Sequence, residues 1–389
     1  MYSLLLIIIY FAFISLGLGD SLLPSAWPVM HGQFSTPITY AGIVSMTISA
    51  GTITSALLSD RLTKKFSVRL VVVFSVCLSL IALFGFSFAG SLFTLWIWAL
   101  PYGLGAGALD ATVNNYVAVH YKSKHMNWLH SFWGVGAMVG PYIMGFLLTR
   151  GFHWSAGYRT VVVIQLVLLV VLICSMAMWK RPAKEEEKTA VIKPFSEIIS
   201  IRGVKFVLLA LFAYCAIEAT TALWASSFLV TYRNISPEIA AGLASLFFMG
   251  ITGGRFLSGF VSGKFGNKNM IKAGICLILA GIVAVWLPLE INMISFVGLI
   301  TIGVGCAPIF PAIIHSTPES FGSENSQALV GMQMASAYTG SALMPPLFGF
   351  ISSFFGMNMF PVYLMFFAVL LICMITALNK SIRSSRTSQ

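Results

Sequence analysis

Long apolar segments alternate with short polar connections along almost the whole chain. A helix needs about 20 mostly apolar residues to cross the hydrocarbon core of a bilayer, and twelve segments of about that length can be read from the sequence. They lie near residues 2–24, 38–59, 69–89, 92–118, 127–149, 159–179, 205–231, 237–262, 271–289, 291–314, 325–352 and 359–379. The pattern therefore predicts an all-α integral membrane protein with twelve transmembrane helices.

The composition agrees with this prediction and excludes soluble classes of protein. Of the 389 residues, 58% are hydrophobic and only 9% are charged, whereas a soluble domain carries about 25% charged residues. The strand alternation of a membrane β-barrel is absent from the sequence. The sequence shows no Ser/His/Asp arrangement, metal-ligand spacing or phosphate-cradling loop, and its six cysteines show no CxxC spacing. We therefore expect neither an enzyme nor a resident cofactor.

The distribution of positive charge predicts the orientation of the chain. Nineteen of the 23 Lys and Arg residues lie in the connections and the tail of one side, whereas three, Arg150, Arg159 and Arg233, lie on the other. Because Lys and Arg concentrate in cytoplasmic loops, both termini and the long middle connection are predicted to be cytoplasmic. The net charge of +11 comes from short runs and not from one basic patch, so nucleic acid is not an expected partner.

The first apolar segment has no charged leading region and no small-residue cleavage site, so it is not expected to be a removable signal peptide. With its short loops, the chain is expected to be a monomeric, multi-pass protein of a bacterial cytoplasmic membrane, surrounded by the lipid bilayer. The middle connection, which contains Glu185–Glu187, divides it into three parts. These are an N-terminal six-helix bundle at 1–179, a cytoplasmic linker loop at 180–204, and a C-terminal six-helix bundle with a short tail at 205–389.

The two halves repeat one another in sequence. The Gly-x-Gly pair at 103–105 in the fourth span recurs at 303–305 in the tenth. The glycine, proline and glycine at 136, 141 and 145 recur at 340, 345 and 349, an offset of 204. Parallel halves of six helices, related by an axis along the membrane normal, place a central cavity near the bilayer midplane. The repeat therefore predicts two six-helix bundles around such a cavity.

The basic loop after the second span resembles the G-x-x-x-D-R-x-G-R-R signature of the major facilitator superfamily. The matching residues are Asp60, Arg61, Lys64 and Lys65, whereas Ala56 and Thr63 stand where the family usually has glycine. With the twelve-span layout, the resemblance covers the whole chain and implies the major facilitator fold and transport by alternating access. It implies a gating role for Asp60, Arg61 and Lys64, to which a simple topology marker is the alternative.

Four charged residues lie well inside the predicted spans and away from the first turn of each: Asp20, Asp110, Glu218 and Arg255. A charge in hydrocarbon costs at least ~2.5 kcal/mol and marks a functional site by default. Three carboxylates from both halves indicate a polar substrate and a proton, because protonation removes the cost of burying the charge and can favour one of two conformations. Arg255 lies roughly two turns from the cytoplasmic end of its span. It could snorkel to the headgroups or pair with an acid, and we expect a gating or structural role.

The sequence around these acids resembles the sugar:proton symporter branch of the superfamily, which includes the fucose permeases. The resemblance is carried by GLGDSLLP at 17–24, GALDATVNNYV at 107–117, NWLHSFW at 127–133, and YCAIE followed by a tryptophan at 214–224. It implies that Asp20 and Asp110 handle the proton and that Asp110, Glu218 and Trp224 contact the sugar. The acid of the fourth span is more often Glu in those permeases. Because Asp110 is one methylene shorter, the resemblance does not fix how a sugar would lie against it.

Three further polar residues can pair with sugar hydroxyls: Asn114, His130 and Gln333. For His130, a place at the cytoplasmic interface is an equal alternative. Together these features predict a proton-coupled symporter for a monosaccharide or a similar small polar solute, driven by the proton gradient.

The main alternative is a multidrug or metabolite efflux antiporter. The sequence Gly136-x-x-x-Gly140-Pro141 resembles a motif of drug:proton antiporters, although the sugar branch carries Gly-Pro at the same place. A signalling or scaffold protein without transport is a third possibility, for which the sequence offers no soluble domain.

Overall fold

The computed structural model describes residues 2–36, 40–179, 194–235, 237–287 and 292–386. Within these ranges the chain is helical, with short connections and no β-strand. Helices suit an apolar chain in a membrane, because each backbone N–H and C=O finds its partner within the same segment. Most of the predicted linker loop, residues 180–193, lies outside the described residues.

The helices follow one another in chain order. Those of the first half are α1 (Tyr2–Gln33), α2 (Ala41–Phe66), α3 (Val68–Phe86), α4 (Leu92–His120), α5 (Ser123–Thr149) and α6 (Ser155–Cys174). Those of the second half are α7 (Phe195–Ser200), α8 (Val204–Thr231), α9 (Pro237–Trp286), α10 (Asn292–His315), α11 (Thr317–Phe321), α12 (Ser323–Phe355) and α13 (Phe360–Arg386). Single 3₁₀ turns occur at Met176–Met178 and Met357–Met359.

Ten helices of the described chain are long and apolar enough to cross a membrane. The predicted span 237–262 and residues 271–286 of the predicted span 271–289 fall in α9, whose backbone is interrupted at Gly266 (φ 72°, ψ 156°), a conformation that glycine adopts at little cost. Residues 288 and 289 lie outside the described residues. The predicted span 325–352 forms α12, which is rich in polar residues and is not one of the ten. The all-helical membrane fold is confirmed, while the twelve spans and the cytoplasmic termini stay predictions.

The chain divides into two compact units. The first comprises Met1–Tyr116 and Leu129–Ile192, and the second comprises Val117–Trp128 and Lys193–Gln389. The segment Val117–Trp128, which ends α4 and begins α5, is thus grouped with the second unit. The boundaries predicted from the sequence place this segment in the N-terminal bundle, and they stay a prediction.

Glycines allow close backbone contacts in the first unit. A Cβ atom added to Gly103 in α4 would overlap the carbonyl oxygen of Ile48 in α2. A Cβ atom added to Gly136 in α5 would likewise overlap the carbonyl oxygen of Ile14 in α1. Small residues promote association of membrane helices in this way, because they let the backbones approach closely.

The repeated glycines make equivalent contacts in the second unit. A Cβ atom at Gly303 in α10 would overlap the carbonyl oxygen of Phe247 in α9, and one at Gly340 in α12 would overlap that of Phe212 in α8. The contact of α4 with α2 in the first half thus corresponds to that of α10 with α9 in the second, and the contact of α5 with α1 corresponds to that of α12 with α8. This correspondence is what a duplicated six-helix unit requires.

The glycine contact between α5 and α1 gives a stability prediction. We expect Gly136→Ala to reduce the folded yield and to lower the unfolding temperature in detergent, because overpacking at a backbone contact costs about 1–3 kcal/mol. Gly145→Ala in the same helix is the matched control, since an added Cβ there meets nothing within 4 Å. That variant should be neutral or slightly more stable. Equal unfolding temperatures for the two variants would contradict the close contact.

Candidate functional site

Asp20 in α1 is the acceptor at a meeting point of three helices in the first unit. The Tyr102 hydroxyl of α4 donates to Asp20 Oδ1 at 2.7 Å. The Trp133 indole Nε1 of α5 donates to Asp20 Oδ2 at 3.0 Å. Both donors are neutral, and the Asp20 side chain is exposed. Protonation of this carboxylate would therefore remove its charge without leaving either donor with an uncompensated charge.

A cavity of about 160 Å³ lies beside Asp20 within the first unit. Its polar lining includes Ser45 and Ser49 of α2 and Tyr158 of α6, and its apolar lining includes Leu83 and Phe86 of α3. The Tyr158 hydroxyl is buried and has no hydrogen-bond partner in the described part of the chain. Apolar walls with a few placed polar groups are typical of small-molecule sites, and an orphan buried hydroxyl calls for a water or ligand partner.

Three predicted site residues form a buried hydrogen-bonded chain in the first unit. Asn114 Nδ2 donates to Asp110 Oδ1 at 2.7 Å and to the Asp110 carbonyl oxygen at 2.9 Å. Asn114 Oδ1 lies 3.0 Å from His130 Nε2, so the imidazole is the donor in that bond. All three side chains are buried. The structure thus brings Asp110, Asn114 and His130 together as one network joining α4 to α5.

In the second unit, the structure brings Glu218 and Arg255 together. Arg255 Nη2 of α9 donates to Glu218 Oε1 of α8 at 3.0 Å and lies 3.5 Å from the Tyr214 hydroxyl. Arg255 Nε is buried with no partner among the described residues. The side chain of Arg255 is 7% exposed and that of Glu218 is 24% exposed. The carboxylate is therefore the more accessible member of the pair.

Two other predicted substrate residues make contacts between helices of the second unit. Trp224 Nε1 donates to the Pro345 carbonyl oxygen at 2.9 Å, and its ring packs edge-on against Phe348. Gln333 is fully buried, and its Oε1 accepts a bond from Thr317 Oγ1 at 3.0 Å. Its Nε2 has no partner in the described ranges. Each residue thus has a structural contact in addition to any role with a solute.

The signature loop lies at the end of α2. Lys64 Nζ donates to Asp60 Oδ2 at 2.9 Å, one helical turn away. Asp60 is buried, and its other oxygen, Oδ1, has no hydrogen-bond partner in the described chain. Arg61, the next residue, is exposed. The structure therefore joins two of the four predicted gating residues, whereas Arg255 pairs with Glu218.

A cluster of neutral polar groups in the second unit was not predicted from the sequence. Ser123 Oγ donates to Asn267 Oδ1 at 2.6 Å, and Asn267 Nδ2 donates to His315 Nδ1 at 3.0 Å. His315 Nε2 in turn donates to the Tyr121 carbonyl oxygen at 2.8 Å. One signal was available, since the sequence GFVSGKFGNK at 259–268 repeats the signature loop ALLSDRLTKK at 56–65 with an offset of 203 residues and contains Asn267.

The chain is similar to known membrane transporters along most of its length. A family model described as Major Facilitator Superfamily matches residues 9–326 and residues 207–387. Bypass of stop codon protein 6 of Saccharomyces cerevisiae is 24% identical over 385 residues, which cover 90% of this chain and 77% of that protein.

Two relatives from Bacillus subtilis carry the names of sugar transporters. The glucose/mannose transporter GlcP is 24% identical over 350 residues, with 87% and 86% of the two chains covered. The hexuronate transporter is 24% identical over 368 residues, with 86% and 84% covered.

Among solved structures, FucP, the fucose:proton symporter of E. coli, superposes with a TM-score of 0.80 at 15% identity, covering 97% of this chain and 98% of that one. At this identity the likeness shows a shared fold.

The buried network gives a second stability prediction. We expect Asn114→Ala to destabilise the protein by about 1–3 kcal/mol, because it removes a donor to a buried carboxylate. Asp110→Asn combined with Asn114→Ala should cost less than the sum of the single changes, since the double variant no longer buries a charge at position 110. Thermal unfolding of the purified variants in one detergent measures this coupling. Strict additivity of the two changes would show that Asn114 does not support Asp110.

Proposed function

The chain belongs to the major facilitator superfamily, and we propose that it is a proton-coupled symporter that moves a sugar or a similar small polar solute by alternating access. Its location would be a bacterial cytoplasmic membrane, with both termini inside and the monomer as the working unit. The superfamily transports solutes through multi-pass helical bundles, so the proposal concerns the solute, the coupling ion and the direction.

The observation that carries the proposal is the environment of Asp20. Its carboxylate is exposed beside a cavity, and its donors Tyr102 and Trp133 are both neutral. A carboxylate held by neutral donors can gain and lose a proton without breaking an ion pair. Because the charged and neutral forms differ in the cost of burial, proton binding at Asp20 can favour one conformation of the transporter.

The other acids support a division of roles. The buried chain of Asp110, Asn114 and His130 joins α4 to α5, and we propose that it relays the effect of proton or solute binding between these helices. Glu218 would accept hydrogen bonds from hydroxyl groups of the solute. Trp224 and Gln333 would line the same site. The relatives named as glucose/mannose and hexuronate transporters agree with a sugar-like solute.

The proposal is tested by uptake into proteoliposomes. Purified protein is reconstituted with a pH-sensitive dye inside, an inward proton gradient is imposed, and a panel of monosaccharides is added in turn. Acidification of the lumen that depends on one sugar would support symport and would identify the solute. No response to any sugar, together with expulsion of a cationic dye under the opposite gradient, would contradict the proposal in favour of efflux.

Asp20→Asn should separate accumulation from exchange. Without a titratable group, the variant should lose proton-driven accumulation, since a membrane potential of 100 mV supplies about 2.3 kcal/mol only to a charge that moves. Exchange of labelled for unlabelled solute should persist. Uptake at imposed gradients and counterflow at equal pH measure the two activities. Normal accumulation by Asp20→Asn would remove Asp20 from the coupling role.

Asp60→Asn is the same type of substitution as Asp20→Asn, made in the signature loop. It should change only the turnover rate of transport. Loss of the Asp60–Lys64 pair should slow turnover several-fold, while the final accumulation level and the half-saturating solute concentration stay unchanged. Glu197→Gln, which neutralises an exposed acid in α7, serves as a control for charge. An altered final level in Asp60→Asn would show that this loop takes part in coupling.

A further inference from the structure

We infer that the transported solute is an uncharged polyhydroxy compound and not an acid sugar, because the guanidinium of Arg255 is already neutralised by Glu218. This inference rests on the proposed function and narrows its solute class. The relatives include both classes, a glucose/mannose transporter and a hexuronate transporter, so the choice between them is made by the residues of this chain.

A carboxylate on a solute would need a partner for its charge inside the protein. An anion that leaves water for a site within apolar helices requires a cation or several hydrogen-bond donors, because an unpaired buried charge is very unfavourable. Arg255 is the cation that lies well inside a predicted span, and a guanidinium is well suited to carboxylates because of its planar set of donors. In a hexuronate carrier, such a residue would have to be available to the solute.

In this structure Arg255 is already engaged with other side chains and is not available to a solute. Its Nη2 donates to Glu218 Oε1 at 3.0 Å and lies near the hydroxyl of the buried Tyr214. With 7% of the Arg255 side chain exposed against 24% for Glu218, an approaching solute meets the carboxylate. The neighbouring titratable groups of α8 and α10, Cys215 and Cys306, are buried and supply no second cation.

Asp20 is the corresponding acid of the first unit. Asp20 is exposed, and the donors it has are Tyr102 and Trp133. The accessible charged groups at both candidate sites are therefore carboxylates. Carboxylate oxygens offer an anionic solute no donor, whereas the hydroxyl groups of a neutral sugar can donate to them in short, charge-assisted hydrogen bonds. Exclusion of the acid sugar and acceptance of the neutral one thus have the same physical cause.

The decisive probes are D-glucose and D-glucuronate, which differ by a carboxylate at one carbon. In proteoliposomes of the wild-type chain, we expect uptake of neutral hexoses, with glucuronate competing at least about tenfold more weakly than the best neutral hexose. Glucuronate that competes as well as the neutral hexoses would overturn the inference and leave the proposed sugar transport intact. Uptake of neither class would overturn the proposed function and the inference with it.

Glu218→Gln tests the cause of the exclusion. The change keeps the shape of the side chain and releases Arg255, so glucuronate should compete about tenfold more strongly than in the wild type. Glu218→Asp, which keeps the charge, should continue to exclude glucuronate. The double variant Glu218→Gln/Arg255→Gln, which restores neutrality without a cation, should lose the gained affinity.

Folding of each variant is checked by its elution profile and unfolding temperature. A folded Glu218→Gln protein with no gain for glucuronate would show that Arg255 does not set the solute class. If Glu218→Gln does not fold, the wild-type competition and the double variant, in which no charge is left unpaired, decide the question. Persistent glucuronate competition in that double variant would likewise contradict the inference.

Discussion

A charged side chain among apolar helices has to be compensated by its neighbours, and this requirement organises the polar interior of both units. Asp20 is compensated by two neutral donors, Asp110 by the amide of Asn114, and Glu218 by Arg255. Each compensation except that of Asp110 joins different helices, so the same bonds that make the charge tolerable also fix where the helices meet. The need to offset the cost of burying these charges therefore also determines which helices are joined.

The two units share a scaffold but differ in their chemistry. Glycines at 103 and 136, repeated at 303 and 340, make the same pairwise helix contacts in each unit. On this common framework the first unit places an accessible acid beside neutral donors, and the second places an ion pair. In the proposed mechanism, the acid that takes up the proton belongs to the first unit and the ion pair belongs to the second, which suits a carrier that couples a proton to a neutral solute.

The sequence predicts the helices and the buried acids because both leave strong local signals, namely long apolar runs and charges that interrupt them. It does not predict that Glu218 pairs with Arg255, since the pairing depends on which faces of α8 and α9 meet. The donors of Asp20 are hidden for the same reason, because Tyr102 and Trp133 look like ordinary aromatic residues of apolar helices. The Asn267–His315 bond joins neutral side chains of two different helices, so the hydropathy pattern does not reveal it, and only the place of Asn267 in the loop repeat marks one of its members.

The glycine contacts also bear on how such a chain can diverge. A contact made of backbone has no rotamers, so forming it costs no side-chain entropy, and no alternative side-chain packing exists by which a substitution could be absorbed. Substitutions are therefore poorly tolerated at these glycines and better tolerated at the positions around them. An ancestral duplication therefore stays recognisable at the contact glycines after the rest of the two halves has diverged. New specificities can arise at the other positions while the helix contacts are kept.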